Sequence, residues 1–90
     1  MNSHTTRRFR ELLAALPAHV RQQAREAYAI FRQNPAHPGL HFKQVRSGPP
    51  PVYSARVGIG YRALGAVDGN TVVWFWIGSH ADYDRLLRQL

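Results

Sequence analysis

The stretch Thr71-Val72-Val73-Trp74-Phe75-Trp76-Ile77, followed at once by Gly78-Ser79-His80-Ala81-Asp82-Tyr83, decides how the rest of the chain is read. Its first seven residues are all β-branched or aromatic, the composition of a strand. Strict alternation puts Val72, Trp74 and Trp76 on one face and Val73, Phe75 and Ile77 on the other. A strand that is apolar on both faces is central in its sheet and covered on at least one side. The segment after it starts a helix. Ser79-x-x-Asp82 has the form of a capping box, with Asp82 in place of the usual Glu or Gln. Tyr83, Leu86, Leu87 and Leu90 then continue along one side of that helix.

Upstream of Thr71 the same reading repeats. Asp68-Gly69-Asn70 is a hairpin signal, because these residue types tolerate positive φ. It joins the central strand to a strand over Tyr61 to Val67. Gly58-Ile59-Gly60 and Ser47 to Pro51 join two more, Val52 to Val57 and Leu40 to Arg46. Four antiparallel strands linked by three hairpins result.

Further upstream the period changes to that of helices. Phe9, Leu12, Leu13 and Leu16 fall at i, i+3, i+4 and i+7. Pro17 suits the first turn of a second helix. That helix carries Val20, Ala24, Ala27, Tyr28 and Phe31 on one side, with Arg21, Arg25, Glu26 and Arg32 largely on the other. Asn34-Pro35 ends it, and Pro35 to Gly39 is a turn-rich connector. The order is α-α-β-β-β-β-α, with no repeat and no linker. Residues 1–90 are thus read as one α+β domain, a helical hairpin packed on a four-stranded antiparallel sheet with a short C-terminal helix.

Charge narrows the function. Twelve Lys+Arg oppose five Asp+Glu, a net charge of +7, and Lys43 is the one cation of the twelve that is not arginine. Guanidinium grips phosphate bidentately and stacks on bases. A balance this skewed points to a polyanionic partner: RNA, DNA or an acidic protein. With no cysteine there is neither a disulfide nor a thiolate metal site. Met1 to Arg10 carries no apolar run, and no stretch reaches the roughly 20 apolar residues of a membrane span. A cytoplasmic protein with no membrane partner is the expectation.

Several polar groups stand where a core would not want them. Arg56 lies in the second strand, Arg62 in the third, and Lys43 and Arg46 in the first. An unpaired arginine is costly to bury, so Arg56 belongs on the solvent face, and alternation allows Arg62 to converge with it. His80 falls in the first turn of the last helix, where the backbone N–H groups favour an anion. Imidazole is the side chain suited to exchanging a proton near neutral pH. Tyr83, three positions on, shares that part of the helix surface. His37 and His41, four apart in the connector, lack a neighbouring carboxylate or cysteine, so no metal and no cofactor is expected. No nucleophilic triad, P-loop or dinucleotide fingerprint is present.

The run Asn34-Pro35, Tyr53-Ser54-Ala55-Arg56, Tyr61-Arg62-Ala63 and Val72 through Tyr83, in that order behind a helical hairpin, resembles the RelE/ParE toxin superfamily over nearly the whole chain. The resemblance implies the toxin of a type II toxin–antitoxin system, held inactive by a cognate acidic antitoxin. It implies metal-free cleavage of mRNA on the ribosome, which arrests translation. Carried over by position, Arg56 and Arg62 match the sheet cations, His80 the residue ending the last strand, and Tyr83 a C-terminal tyrosine. These four are the expected catalytic residues, with Lys43, Arg46 and Tyr61 binding substrate around them. The chain departs from the pattern in two places. Met1 to Thr6 is a poor candidate for the strand that usually opens the family, with Thr5 to Phe9 offering at most a short edge. Ser54 stands where RelE carries a lysine. Two other readings remain open: a ParE-like toxin that inhibits DNA gyrase without cutting RNA, and a catalytically silent basic binding module.

Overall fold

The structure, a computed structural model, describes residues 1–89. Leu90, the last member of the stripe expected in the final helix, lies outside them. The chain runs β1 (Asn2–Thr5), α1 (Arg7–Ala14), α2 (Ala18–Gln33), a 3₁₀ turn (Pro38–Leu40), β2 (Lys43–Arg46), β3 (Val52–Val57), β4 (Tyr61–Asp68), β5 (Thr71–Ser79) and α3 (His80–Gln89). Pro17 precedes α2 as its N-cap, and its carbonyl accepts the amides of Val20 and Arg21 at 3.0 Å. The sheet has the order β1-β5-β4-β3-β2.

The α+β class and the antiparallel run from β2 to β5 match the expectation. The strand count does not: β1 adds a fifth, pairing parallel to β5 with Asn2 opposite Thr71 and Thr5 opposite Trp74. Asn-Ser-His-Thr has no apolar alternation, so nothing in its composition announces a strand. What makes it one is the backbone edge of β5. A central strand needs partners for its backbone groups on both edges; β4 supplies one edge and β1 the other. The Asn2 amide donates to the Asn70 carbonyl at 2.8 Å and the Thr6 amide to that of Trp74 at 3.0 Å. The strand expected from Leu40 begins only at Lys43. Leu40 is buried in the 3₁₀ turn and His41 takes a left-handed conformation (φ 46°) that redirects the chain. The His37 Nδ1 accepts the Gly39 amide at 3.0 Å, so this histidine caps the turn.

One face of the sheet carries α1 and α2. Phe31 of α2 meets Trp74 edge-on at 5.4 Å and Phe42 at 5.1 Å, and Phe42 stacks on Tyr53 at 4.9 Å. Ala55, Val57, Ala63, Val72 and Ile77 complete the buried layer, with Phe9, Leu12, Leu13 and Leu16 packed over it.

Ile77 belongs to that layer and Trp76 does not, the reverse of what strict alternation predicts. The cause is a bulge: Leu64 pairs with Trp76 while Gly65 pairs with Trp74, leaving Phe75 as an extra residue. One inserted residue flips every later side chain to the other face. Gly65 makes the bulge fit, since a Cβ there would lie 2.6 Å from Val72 Cγ2 and 2.9 Å from the Trp74 ring.

Candidate active site

The opposite face of the sheet takes its character from the residues that alternate with the core. Tyr61, Ala63 and Val67 face the helices, so Arg62, Leu64 and Ala66 face away. On β3, Ser54 and Arg56 do the same. Arg56 and Arg62 are direct cross-strand partners, and Arg62 stands opposite Gly78 on its other side. Side chains of directly opposed residues lie about 5 Å apart at Cβ, and like charges in that relation repel. No carboxylate neutralises either arginine; the ion pairs of the described residues are Arg7–Glu11, His80–Asp84 and Arg85–Asp82. The Arg56 Nε donates to the Gly58 carbonyl at 3.0 Å, which leaves its terminal nitrogens unengaged by protein. The Arg62 Nη1 is buried without a hydrogen-bond partner, and leaving such a donor unpaired is costly.

The start of α3 brings the remaining groups to this place. The His80 amide donates to the Gly60 carbonyl at 2.8 Å, tying the helix to the β3–β4 turn beside the two arginines. Ser79 Oγ accepts the Asp82 amide at 3.1 Å, so half of the expected capping box is formed. Tyr83 is buried, with the Arg62 guanidinium 5.7 Å above its ring centroid, within cation–π range. The same ring meets the His80 imidazole edge-on at 5.6 Å and 74°. The His80 side chain remains 50% exposed, open to a ligand arriving from solvent.

Arg62, Tyr83 and His80 are therefore in contact in turn, with Arg56 opposite Arg62 on the neighbouring strand. Lys43, opposite Ser54 and exposed, lies on the same sheet face two residues along from Arg56. The other two expected substrate-binding residues sit elsewhere. The Arg46 Nη2 donates to the Leu87 carbonyl at 2.9 Å, so this guanidinium satisfies the last turn of α3. Tyr61 faces the helix side and packs against the core. Being adjacent in one strand, Tyr61 and Arg62 must point to opposite faces, a constraint already present in the sequence. Asp84 was not singled out there. Its Oδ2 lies 3.2 Å from His80 Nδ1, and the signal that could have found it is the i,i+4 spacing on the last helix.

The site is an open surface. A cavity of about 570 Å³ lies between the helices and the sheet, lined by apolar residues such as Phe9, Leu13, Phe31 and Trp74 and also by Arg10, Arg25 and Arg56. A second of about 420 Å³ opens where β1 stops short of Trp76 and Gly78. Neither is lined by Arg62, His80 or Tyr83. Half-buried guanidiniums beside an exposed imidazole, with no cavity formed around Arg62, His80 or Tyr83, suit a polymer laid across the surface better than a small molecule enclosed by it. Among the described residues no three His, Cys, Asp or Glu cluster so as to hold a metal ion, and no helix is long and apolar enough to cross a membrane.

The family model of the ParE-like toxin domain matches residues 18–85. No curated protein matches the chain in sequence. Solved structures share its fold. A chain of the RelB–RelE antitoxin–toxin complex from Methanococcus jannaschii superposes with a TM-score of 0.70 at 20% identity, covering 91% of this chain and 96% of that one. The archaeal RelE–RelB complex from Pyrococcus horikoshii gives 0.69 at 16%, covering 87% and 92%. The isolated E. coli RelE toxin gives 0.65 at 18%, covering 99% and 98%. At these identities the likeness is one of fold.

Proposed function

The chain belongs to the ParE-like toxin domain family, and from that premise we propose that it is the toxin of a type II toxin–antitoxin system, a cytoplasmic, metal-independent endoribonuclease that cleaves mRNA on the ribosome. The observation that supports this reading is the facing pair Arg56 and Arg62, unneutralised by any carboxylate and adjoined by His80 and Tyr83. Two guanidiniums held together against their own repulsion are matched to an anion that accepts from both. A phosphodiester fits, and an imidazole beside it is what cleavage by the 2′-hydroxyl requires.

In that reaction His80 takes the 2′-hydroxyl proton and the 2′-oxygen attacks phosphorus. The P–O5′ bond breaks, the 5′-oxygen takes a proton from solvent, and a 2′,3′-cyclic phosphate and a 5′-hydroxyl end remain. Arg56 and Arg62 neutralise the charge that develops on the non-bridging oxygens, and Tyr83 holds Arg62 and His80 in register. Lys43 extends the cationic path along the RNA backbone. The partner that silences the protein is a cognate antitoxin whose acidic segment covers this face, a reading that the net charge of +7 and the shared fold of the two archaeal toxin–antitoxin complexes support.

The family match also favours a second reading, a ParE-like toxin that inhibits DNA gyrase without cutting RNA. Induced expression followed by mapping of mRNA 5′ ends, with a gyrase supercoiling assay in parallel, separates them. New in-frame 5′-hydroxyl ends with supercoiling intact support the endoribonuclease. Lost supercoiling without new ends supports the gyrase toxin, and neither effect leaves a silent basic binding module.

A further inference from the structure

Among the described residues, Asp84 brings a carboxylate to the candidate site through its contact with His80. Its Oδ2 lies 3.2 Å from the imidazole Nδ1, with the two side chains 52% and 50% exposed. As a stability device the pair is weak, since an exposed ion pair one helical turn apart contributes little. Its chemical content is directional. An ionised carboxylate only accepts hydrogen bonds, so the nitrogen facing it must carry a proton. In the neutral ring the proton then sits on Nδ1 and the lone pair on Nε2.

We propose that Asp84 is a positioning residue that holds His80 in the Nδ1–H form, leaving Nε2 as the basic nitrogen of the site. Three contacts fix the ring. Asp84 sets which nitrogen is protonated, the edge-on Tyr83 ring limits its rotation, and the hydrogen bond from the His80 amide to the Gly60 carbonyl anchors its backbone beside Arg56 and Arg62. Without the carboxylate, the ring is free to take the Nε2–H form that unconstrained imidazoles favour, and in that form its outer nitrogen cannot accept a proton. The inference rests on the endoribonuclease reading for its consequence but not for its geometry. It assigns His80 the role of base in the first step.

The test uses the whole purified protein, ¹⁵N-labelled, with no RNA present. Long-range ¹H–¹⁵N spectra at a pH where imidazoles are neutral report which ring nitrogen of His80 is protonated, its signals identified by their loss in His80→Ala. We expect the Nδ1–H form in the native protein and in Asp84→Asn, whose amide oxygen still accepts. In Asp84→Ala we expect reversion to Nε2–H. Cleavage of an RNA substrate by Asp84→Ala is expected to fall between about 10- and 100-fold in kcat with KM unchanged, and to recover largely in Asp84→Asn. Nε2–H in the native protein, or a tautomer and kcat indifferent to Asp84→Ala, overturns the proposal. If the native protein cuts no RNA, the endoribonuclease reading falls alone, because the spectra still decide what Asp84 does to the ring.

Discussion

The two faces of the sheet are built from the same strands, alternating residue by residue, yet they obey opposite rules. Toward α1 and α2, each large side chain has a packing reason: Phe31, Phe42, Tyr53 and Trp74 meet in edge-on or stacked pairs, and the one indole N–H among them finds Ser3 Oγ at 3.0 Å. On the other face Arg56 and Arg62 oppose each other, and three buried polar atoms, Arg46 Nε, Ser54 Oγ and Arg62 Nη1, have no hydrogen-bond partner. A fold optimised only for stability would not keep like charges in direct opposition or strand donors in this way. The helix face explains how the chain holds together, and the cationic face carries the groups that the proposed chemistry needs.

That contrast predicts how substitutions should divide. The largest effects belong to the chemistry. His80→Ala should lower cleavage by roughly 10²–10⁴-fold, the usual range for a lost acid–base group, and Arg62→Ala by on the order of 10²–10³-fold, as for a lost charge-stabilising donor. Neither should lower the melting temperature appreciably. Full activity in both variants would remove the cationic face from the mechanism.

Trp74→Ala, one strand away but on the other face, should do the reverse. It should cost about 3–5 kcal/mol in chemical denaturation, a large share of a small domain's stability, and the fraction still folded should bind RNA with native affinity. A smaller effect separates binding from chemistry. Arg56→Gln should reduce the slope of log affinity against log salt for a short single-stranded RNA by about 0.7, the value of one phosphate contact, measured by fluorescence anisotropy. Smallest of all, Tyr61→Phe should leave cleavage within about twofold and stability within about 0.5 kcal/mol, because Tyr61 points toward the helices. A large loss of activity there would blur the division between the faces.

The sequence disclosed the hairpin-linked strands, the start of α2 at Pro17 and the helix that begins after Ser79, because turn chemistry and periodicity are local properties. It also marked Arg56, Arg62 and His80, groups that a core would reject, and Tyr83 at the head of the last helix's apolar stripe. It did not disclose β1, whose residues become a strand only because β5 has an unpaired edge, nor the bulge at Phe75, which alters pairing without altering composition. Arg46 illustrates a third kind of silence. Its side chain is spent on the Leu87 carbonyl, a contact between residues far apart in sequence that no pattern within β2 could foretell.

The pairing of residues 2–5 with 71–74 has a consequence for the order of events in synthesis. Until Thr71 to Ser79 has left the ribosome, β1 has nothing to dock on and the meander β2–β4 lacks Trp74 and Ile77. A nascent chain can show its two guanidiniums early, but the imidazole and the strand that fixes it emerge together and late. For a protein acting as proposed, competence to attack translation thus waits for the strand that both docks β1 and leads into the imidazole.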